Sequence, residues 1–277
     1  MSEPMSGAGS AQRSFAGRGV RARAGAASVA GLPVLGIAIA MAMAGAPVVL
    51  GAQGAPATGD AVIQAMHDRY AKTWYHTLTF TQKTTRRTAA DTMAIETWKE
   101  ASILPGRLRI DIRRASGNLA AIYSGDSVFI VRGDSTVSRA AARNVLLIMG
   151  FDVYGQPAEQ TLAALHGEHY TTTSVREDTW EGRPVYVIGA PAGDTRTAQI
   201  WIDKERLLYV RSIQPDRDTT KSSEYRFDNY VQVPHGWLSE KVLAFVDGKL
   251  IQQEEYSDVR TNGPVDPKIF VPPAPKH

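Results

Sequence analysis

Few places in this 277-residue chain gather side chains that could catalyse or ligate. His166-Gly167-Glu168-His169 sets two imidazoles beside a carboxylate, the beginning of a metal pair. A metal site needs three or four donors at characteristic spacing, and no third ligand or flanking pattern accompanies this one. The stretch falls where a helical pattern ends, so it reads as a solvated helix terminus. Glu254 with Glu255, and Asp216 with Asp218, have the look of the paired carboxylates of glycoside hydrolysis. Neighbouring strand residues point to opposite faces, however, and the aspartates sit in a polar turn. No Gly-x-Ser-x-Gly elbow, phosphate loop or dinucleotide fingerprint occurs. Nucleophilic and cofactor chemistry have no foothold, and the expectation is a protein that is not an enzyme, with no metal and no cofactor. An envelope hydrolase rests on nothing positive.

Charge and cysteine usage narrow the classes further. The chain holds 31 basic and 28 acidic residues. Setting aside Arg13, Arg18, Arg21, Arg23 and Glu3, which precede residue 53, leaves 27 of each. The basic surplus belongs to the N-terminal extension, which argues against a nucleic-acid surface on the main domain. With no cysteine there is no disulfide, no catalytic thiol, no cysteine-ligated metal and no lipid-modified cysteine.

The N-terminal extension supplies an address. Its arginine-rich, acid-poor start precedes the charge-free run from Leu32 to Ala52, LPVLGIAIAMAMAGAPVVLGA, closed by small residues. This is the build of a secretory signal peptide over residues 1–52, with a membrane anchor as the alternative. Ala and Gly content and the interruptions at Pro33 and Pro47 favour cleavage. Either way the remainder is expected to be exported into a periplasm, with residues 53–59 as linker, 60–273 as one domain and 274–277 as a loose tail.

The elements that must position any site follow in order. Asp60 opens a helix expected to run to about Trp74, with Val62, Met66 and Tyr70 on one stripe. Thr-rich strand sequence begins at Tyr75, a second run spans Ile95 to Ile103, and Pro105-Gly106 turns into Arg107 to Arg113. There strict alternation puts Leu108, Ile110 and Ile112 on one face. Gly125-Asp126, Gly133-Asp134 and Asp247-Gly248 are hairpin dipeptides. Between Ala140 and His166 the period becomes helical, with Pro157 in a first turn and Gly167 beyond an end. Strands resume at Thr171 and pass through the best-patterned stretch, Gly182 to Arg211, expected to be the central wall of the sheet. Eleven or more strands and three helices predict a mainly β (α+β) fold. A curled antiparallel sheet forms an incomplete half-barrel, covered by the N-terminal helix and two short central helices.

The order W-x-E-x4-PGRLRIDI from Trp98, GDSVFIVRGD, two helices, then WEGRPVYVIGAPAGDTRTAQIWIDKERLLYVR resembles the periplasmic outer-membrane lipoprotein carrier and sorting family (LolA-like). The resemblance continues through EYRFDNYVQVPHGWLSEKVLAFVDGKLIQQEEYSDVR to Asn262, Asp266 and Phe270, and covers residues 58–273. It implies an open half-barrel with an apolar lining and helical lids, shielding the acyl chains of lipoproteins on their way toward the outer membrane. Such shielding has a physical motive, since each exposed methylene costs about 0.8 kcal/mol in water.

On that reading Leu108, Ile110, Ile112, Val185, Val187, Ile200 and Ile202, with Trp98, are the candidates to line a lipid cavity, although part of this set must serve as core beneath the lids. Arg86, Arg87 and Arg113, the last paired with Arg114, are either solvated strand ends or donors to a cargo carbonyl or headgroup at the cavity mouth. The expected partners are acylated lipoproteins or lipids and inner- and outer-membrane transport proteins, with no nucleic acid, and the protein is expected to act as a monomer. The alternative is a lipid- or lipoprotein-sensing module on the same scaffold that regulates an envelope partner.

Overall fold

The hydroxyl of Thr58 accepts a hydrogen bond from the Ala61 amide at 3.2 Å and starts helix α1, Gly59–Tyr70. The cap is therefore Thr58 rather than Asp60, and the helix stops one turn short of Trp74. The computed structural model describes residues 56–114, 117–215 and 220–275. The N-terminal basic and apolar segments, and Asp216 and Asp218, lie outside them. Val62, Ile63, Met66 and Tyr70 form the buried stripe of α1. They face a sheet, as an amphipathic helix of this length must.

That sheet has thirteen strands and is antiparallel at every pairing described. The first meander comprises β1 (Thr77–Arg87), β2 (Met93–Ile103), β3 (Arg107–Arg113), β4 (Leu119–Ser124), β5 (Ser127–Arg132) and β6 (Ser135–Ala141). After the helices come β7 (Val175–Trp180), β8 (Arg183–Ile188), β9 (Gln199–Asp203), β10 (Tyr209–Pro215), β11 (Ser222–Val233), β12 (Gly236–Val246) and β13 (Lys249–Thr261). The spatial order is β6-β5-β4-β3-β2-β1-β13-β12-β11-β10-β9-β8-β7. Two meanders thus meet where β1 pairs β13, and β6 and β7 are left as edges, so the sheet is not closed into a barrel. The stretch Gly182 to Arg211 lies toward the β7 edge. It is a flank and not the central wall, because the last strand returns to the first. The Asp247-Gly248 turn has both residues at positive φ, the geometry that fits a tight hairpin to twisted strands.

The insert between the meanders folds as α2 (Val145–Gly150), a 3-10 turn (Asp152–Tyr154) and α3 (Ala158–Gly167). With α1 it covers one face of the sheet. The main core lies there: Ile63, Met66, Met149, Tyr154, Leu165, Ile188, Ile200 and Ile202 are all buried. The rings of Trp74 and Tyr154 lie 4.0 Å apart and those of Trp74 and Tyr75 4.8 Å apart, an aromatic plug at the foot of α1. Strand β12 begins at Gly236 because the plug leaves no room: a Cβ there would stand 2.8 Å from the Trp74 ring.

The outer face carries two smaller clusters. Ala120, Ile122 and Val131 are covered by Phe270 from a C-terminal 3-10 turn, Pro267–Phe270. Pro273 and Ala274 are tied to β6, since the Thr136 hydroxyl donates to the Pro273 carbonyl at 2.5 Å and the Thr136 amide to that of Ala274 at 3.4 Å. Val185, Val187, Trp201 and Val210 form the other cluster, against Trp180.

Candidate functional site

Alternation and register place one row of each strand under the helices. Leu78, Ser102 and Leu108 stand opposite one another across β1, β2 and β3, then Phe80, Glu100 and Ile110, then Gln82, Trp98 and Ile112. Helix α2 lies over this part of the sheet. Its cap is Asn144, whose Oδ1 accepts from the Leu146 amide at 3.0 Å and the Leu147 amide at 3.1 Å.

Beneath α2 is a cavity of about 70 Å³ walled by Leu108, Ile110, Leu146, Phe151 and Phe227, with Trp98 and Tyr256 at its sides. On the other side of the helix an open groove of about 430 Å³ runs between α2, α3 and the turns at Pro105-Gly106 and Gly125-Asp126. Asn144 and Leu147 border both spaces. The six-residue helix α2 lies between the small cavity and the larger trough, and a helix this short is held by its packing, not by its own propensity.

Two carboxyls face the small cavity. Glu100 is 9% exposed and, among the described residues, accepts no hydrogen bond and joins no ion pair. Burial pushes its pKa well above the ordinary carboxylate value, and the charge of Glu254 adds to the rise. Glu254 is also raised by burial, although Tyr256 donates to it at 2.7 Å and Gln252 at 2.6 Å. Glu96, further along the same face of β2, behaves oppositely. Burial works to raise it, but hydrogen bonds from Arg86 and Trp98 and the charge of Arg114 outweigh burial, and its pKa is lowered. Arg86 Nη2 lies 2.6 Å and Arg114 Nε 3.0 Å from Glu96 Oε1, and the Trp98 indole donates to Oε2 at 2.9 Å.

A third buried acid anchors the insert. Asp152, 2% exposed, accepts from the Gly106 amide at 3.1 Å through Oδ2, while Oδ1 is buried without a partner. Burial lifts its pKa to about 7, with the Gly106 hydrogen bond opposing. Asp152 thereby fastens the segment after α2 to the β2–β3 turn.

The expected lining residues separate into groups. Trp98, Leu108 and Ile110 meet at the cavity, and Ile112 shares their face opposite Trp98 without lining the cavity. Ile200 and Ile202 lie under α1 and α3 as fully buried core. Val185 and Val187 are corrected: Val187 pairs Trp201 and Val185 pairs Asp203, so both belong to the outer face, while Tyr186 and Ile188 share the helix-covered face with Ile202 and Ile200. Among the mouth candidates, Arg86 is on the cavity face but committed to Glu96. Arg87 pairs with Asp91 in the β1–β2 turn, and Arg113 pairs opposite Thr97 on the outer face, so neither reaches the cavity. Glu100 and Asp152 escaped the sequence reading. Glu100 shares alternation with Trp98, a usable signal, but β2 carries charge on both faces.

Among the described residues no group of three or more His, Asp or Glu could hold a metal, and no helix is long and apolar enough to cross a membrane. His166 instead hydrogen-bonds Thr172 at 2.8 Å.

No protein-family model matches the chain, and no curated protein matches it. Solved structures do. A LolA superfamily protein from Nitrosomonas europaea is 13% identical with a TM-score of 0.52, over 76% of this chain and 97% of that one. A domain described as an outer membrane lipoprotein-sorting protein from Vibrio parahaemolyticus is 11% identical with a TM-score of 0.50, over 76% and 95%. A DUF1329 family protein from Desulfovibrio piger is 12% identical with a TM-score of 0.54, over 77% and 95%. The likeness runs over about three quarters of this chain, and its antiparallel sheet, left open between two edge strands, has a LolA-like fold.

Proposed function

We propose that the protein is a non-enzymatic carrier of the cell envelope, exported by its N-terminal segment, that takes up the acyl chains of a lipoprotein or another lipid between its sheet and α2. The observation that supports this is the pair of spaces on either side of α2. The cavity of about 70 Å³ has room for small groups, and the trough beside it, about 430 Å³, is larger. Displacing α2 joins them along a wall of Leu108, Ile110, Leu147 and Phe151. Each methylene that leaves water contributes about 0.8 kcal/mol, so a chain of a dozen methylenes repays the loosening of a six-residue helix several times over.

The test is binding of a fluorescent fatty acid to the purified chain, together with mass spectrometry of lipid carried through gentle purification. Saturable binding that Leu147→Trp blocks by filling the space under α2 is the expected result. Failure to bind any amphiphile, with no copurifying lipid, overturns the reading.

A further inference from the structure

We propose that the cavity beneath α2 receives the protonated amine of a cationic amphiphile, with Glu100 and Glu254 as its counter-charges and Phe80, Trp98 and Tyr256 as its aromatic walls. This rests on the carrier reading above and deepens it by naming the chemical class of the head group.

Glu100 has Phe80 and Ile110, both apolar, as its neighbours across the sheet on the covered face, and α2 lies over it with Leu146 and Leu147. An ionised carboxyl in such a place is costly unless something pairs with it, and among the described residues Glu100 has no hydrogen-bond or ion-pair partner. Glu96, on the same face, shows what a partnered acid looks like: two arginines and an indole N–H surround it. Those arginines are thereby committed, and the cavity lining contains no Lys, Arg or His.

The other titratable groups around Glu100 are Glu254 and Tyr256 from β13 and Tyr123 from β4, each of which interacts electrostatically with it. Helix α2 and strands β1 and β11 present only neutral side chains to the cavity. The described residues that line the cavity around the acid are therefore acidic, phenolic or neutral, so Glu100 stays protonated when alone and an ionised Glu100 would take its counter-charge from a ligand. Aromatic walls favour the same occupant. The Phe80 and Tyr256 rings lie with centroids 4.4 Å apart, and ring faces attract ammonium groups most strongly where water is excluded. A fatty acid would place a third carboxylate beside two others and is disfavoured by the same electrostatics.

The experiment compares dodecylamine, dodecanol and dodecanoate as competitors for a fluorescent amphiphile on the full chain, kept below micelle-forming concentrations. Dodecylamine is expected to bind about tenfold more tightly than dodecanol, as for a charge-assisted contact, and dodecanoate more weakly than either. Its advantage should grow as pH rises, because ammonium binding requires ionised carboxyls and releases their protons. Glu100→Gln, which keeps the shape and removes the charge, should bring dodecylamine affinity down to that of dodecanol measured on the same variant. Glu254→Gln should reduce the advantage, and unchanged near-ultraviolet circular dichroism establishes that both variants fold. Dodecanoate binding as tightly as dodecylamine, or an amine preference that survives Glu100→Gln, overturns the inference alone. If none of the three competes and no probe binds, the carrier reading falls with it.

Discussion

The two halves of the covered face are built from the same kind of meander yet are filled differently. Under α1 and α3, strands β8 to β12 meet a dry core of Ile188, Ile200, Ile202, Tyr209 and Leu238, closed by the rings of Tyr70, Trp74, Tyr75 and Tyr154. Several of its polar atoms are paired: the Tyr154 hydroxyl accepts from the Tyr209 amide at 3.0 Å, and the Tyr209 and Ser212 hydroxyls meet at 2.6 Å. Under α2, strands β1 to β3 and β13 present Trp98, Glu100, Ile110 and Glu254 to a cavity. One half spends its apolar surface on stability and the other keeps two carboxyls at a cavity beneath a short helix. Regions that bind and move are drawn from the less stable end of a structure, and the contrast marks which half that is.

The largest effect that would break this comparison belongs to the filled half. Trp74→Ala should destabilise the protein by about 3–5 kcal/mol in denaturant melts while leaving amphiphile affinity in the folded protein within about twofold. Equal loss of binding would show that the aromatic plug takes part in the site.

Asp152 joins the two halves, and pH separates its role from that of the core. A carboxyl whose pKa rises from 3.8 to about 7 on folding lends stability that is full below the unfolded value and is lost as pH climbs through the folded one. Asp152→Asn should therefore be more stable than the parent above neutrality, by up to about 4 kcal/mol, with the difference closing toward about pH 4. A pH-independent effect of the substitution would detach Asp152 from the proton balance.

The smallest stability effect should come from the open half. Ile110 is only part-buried, so Ile110→Ala should cost about 1–2 kcal/mol, yet weaken a bound fatty probe several-fold. A large stability loss with unchanged binding would reverse the assignment of the halves.

Much of the scaffold was legible because its signals are local. Asp247-Gly248, the stripe of Val62, Met66 and Tyr70, and the alternation of Leu108, Ile110 and Ile112 all act within a few residues. The site was less legible because a face is a property of strands in register. Alternation ties Val185 to Val187 and Ile200 to Ile202, but the loop of residues 189–198 decides which pair shares a face with which, and it puts them on opposite sides. The arginines were misjudged for a related reason: a basic pair at a strand end divides between the two faces, so Arg86 meets Glu96 while Arg87 turns to Asp91. Glu100 needed knowledge of its lateral neighbours, Phe80 and Ile110, which no single strand contains.

The pairing of β1 with β13 has a consequence for how the molecule comes into being. Leu78 is matched to Thr261 and Arg86 to Gln252, so the seam between the meanders is made by residues more than 160 positions apart. Each meander can zip up from neighbouring strands, but the seam must wait for nearly the whole chain, and contacts of such long range close slowly. Until then β1 is an open edge with its hydrogen bonds on offer, able to pair with another chain. The interval before the last strand arrives is therefore when this protein is most exposed to aggregation, and a chain cut short before Lys249 would remain in that interval permanently.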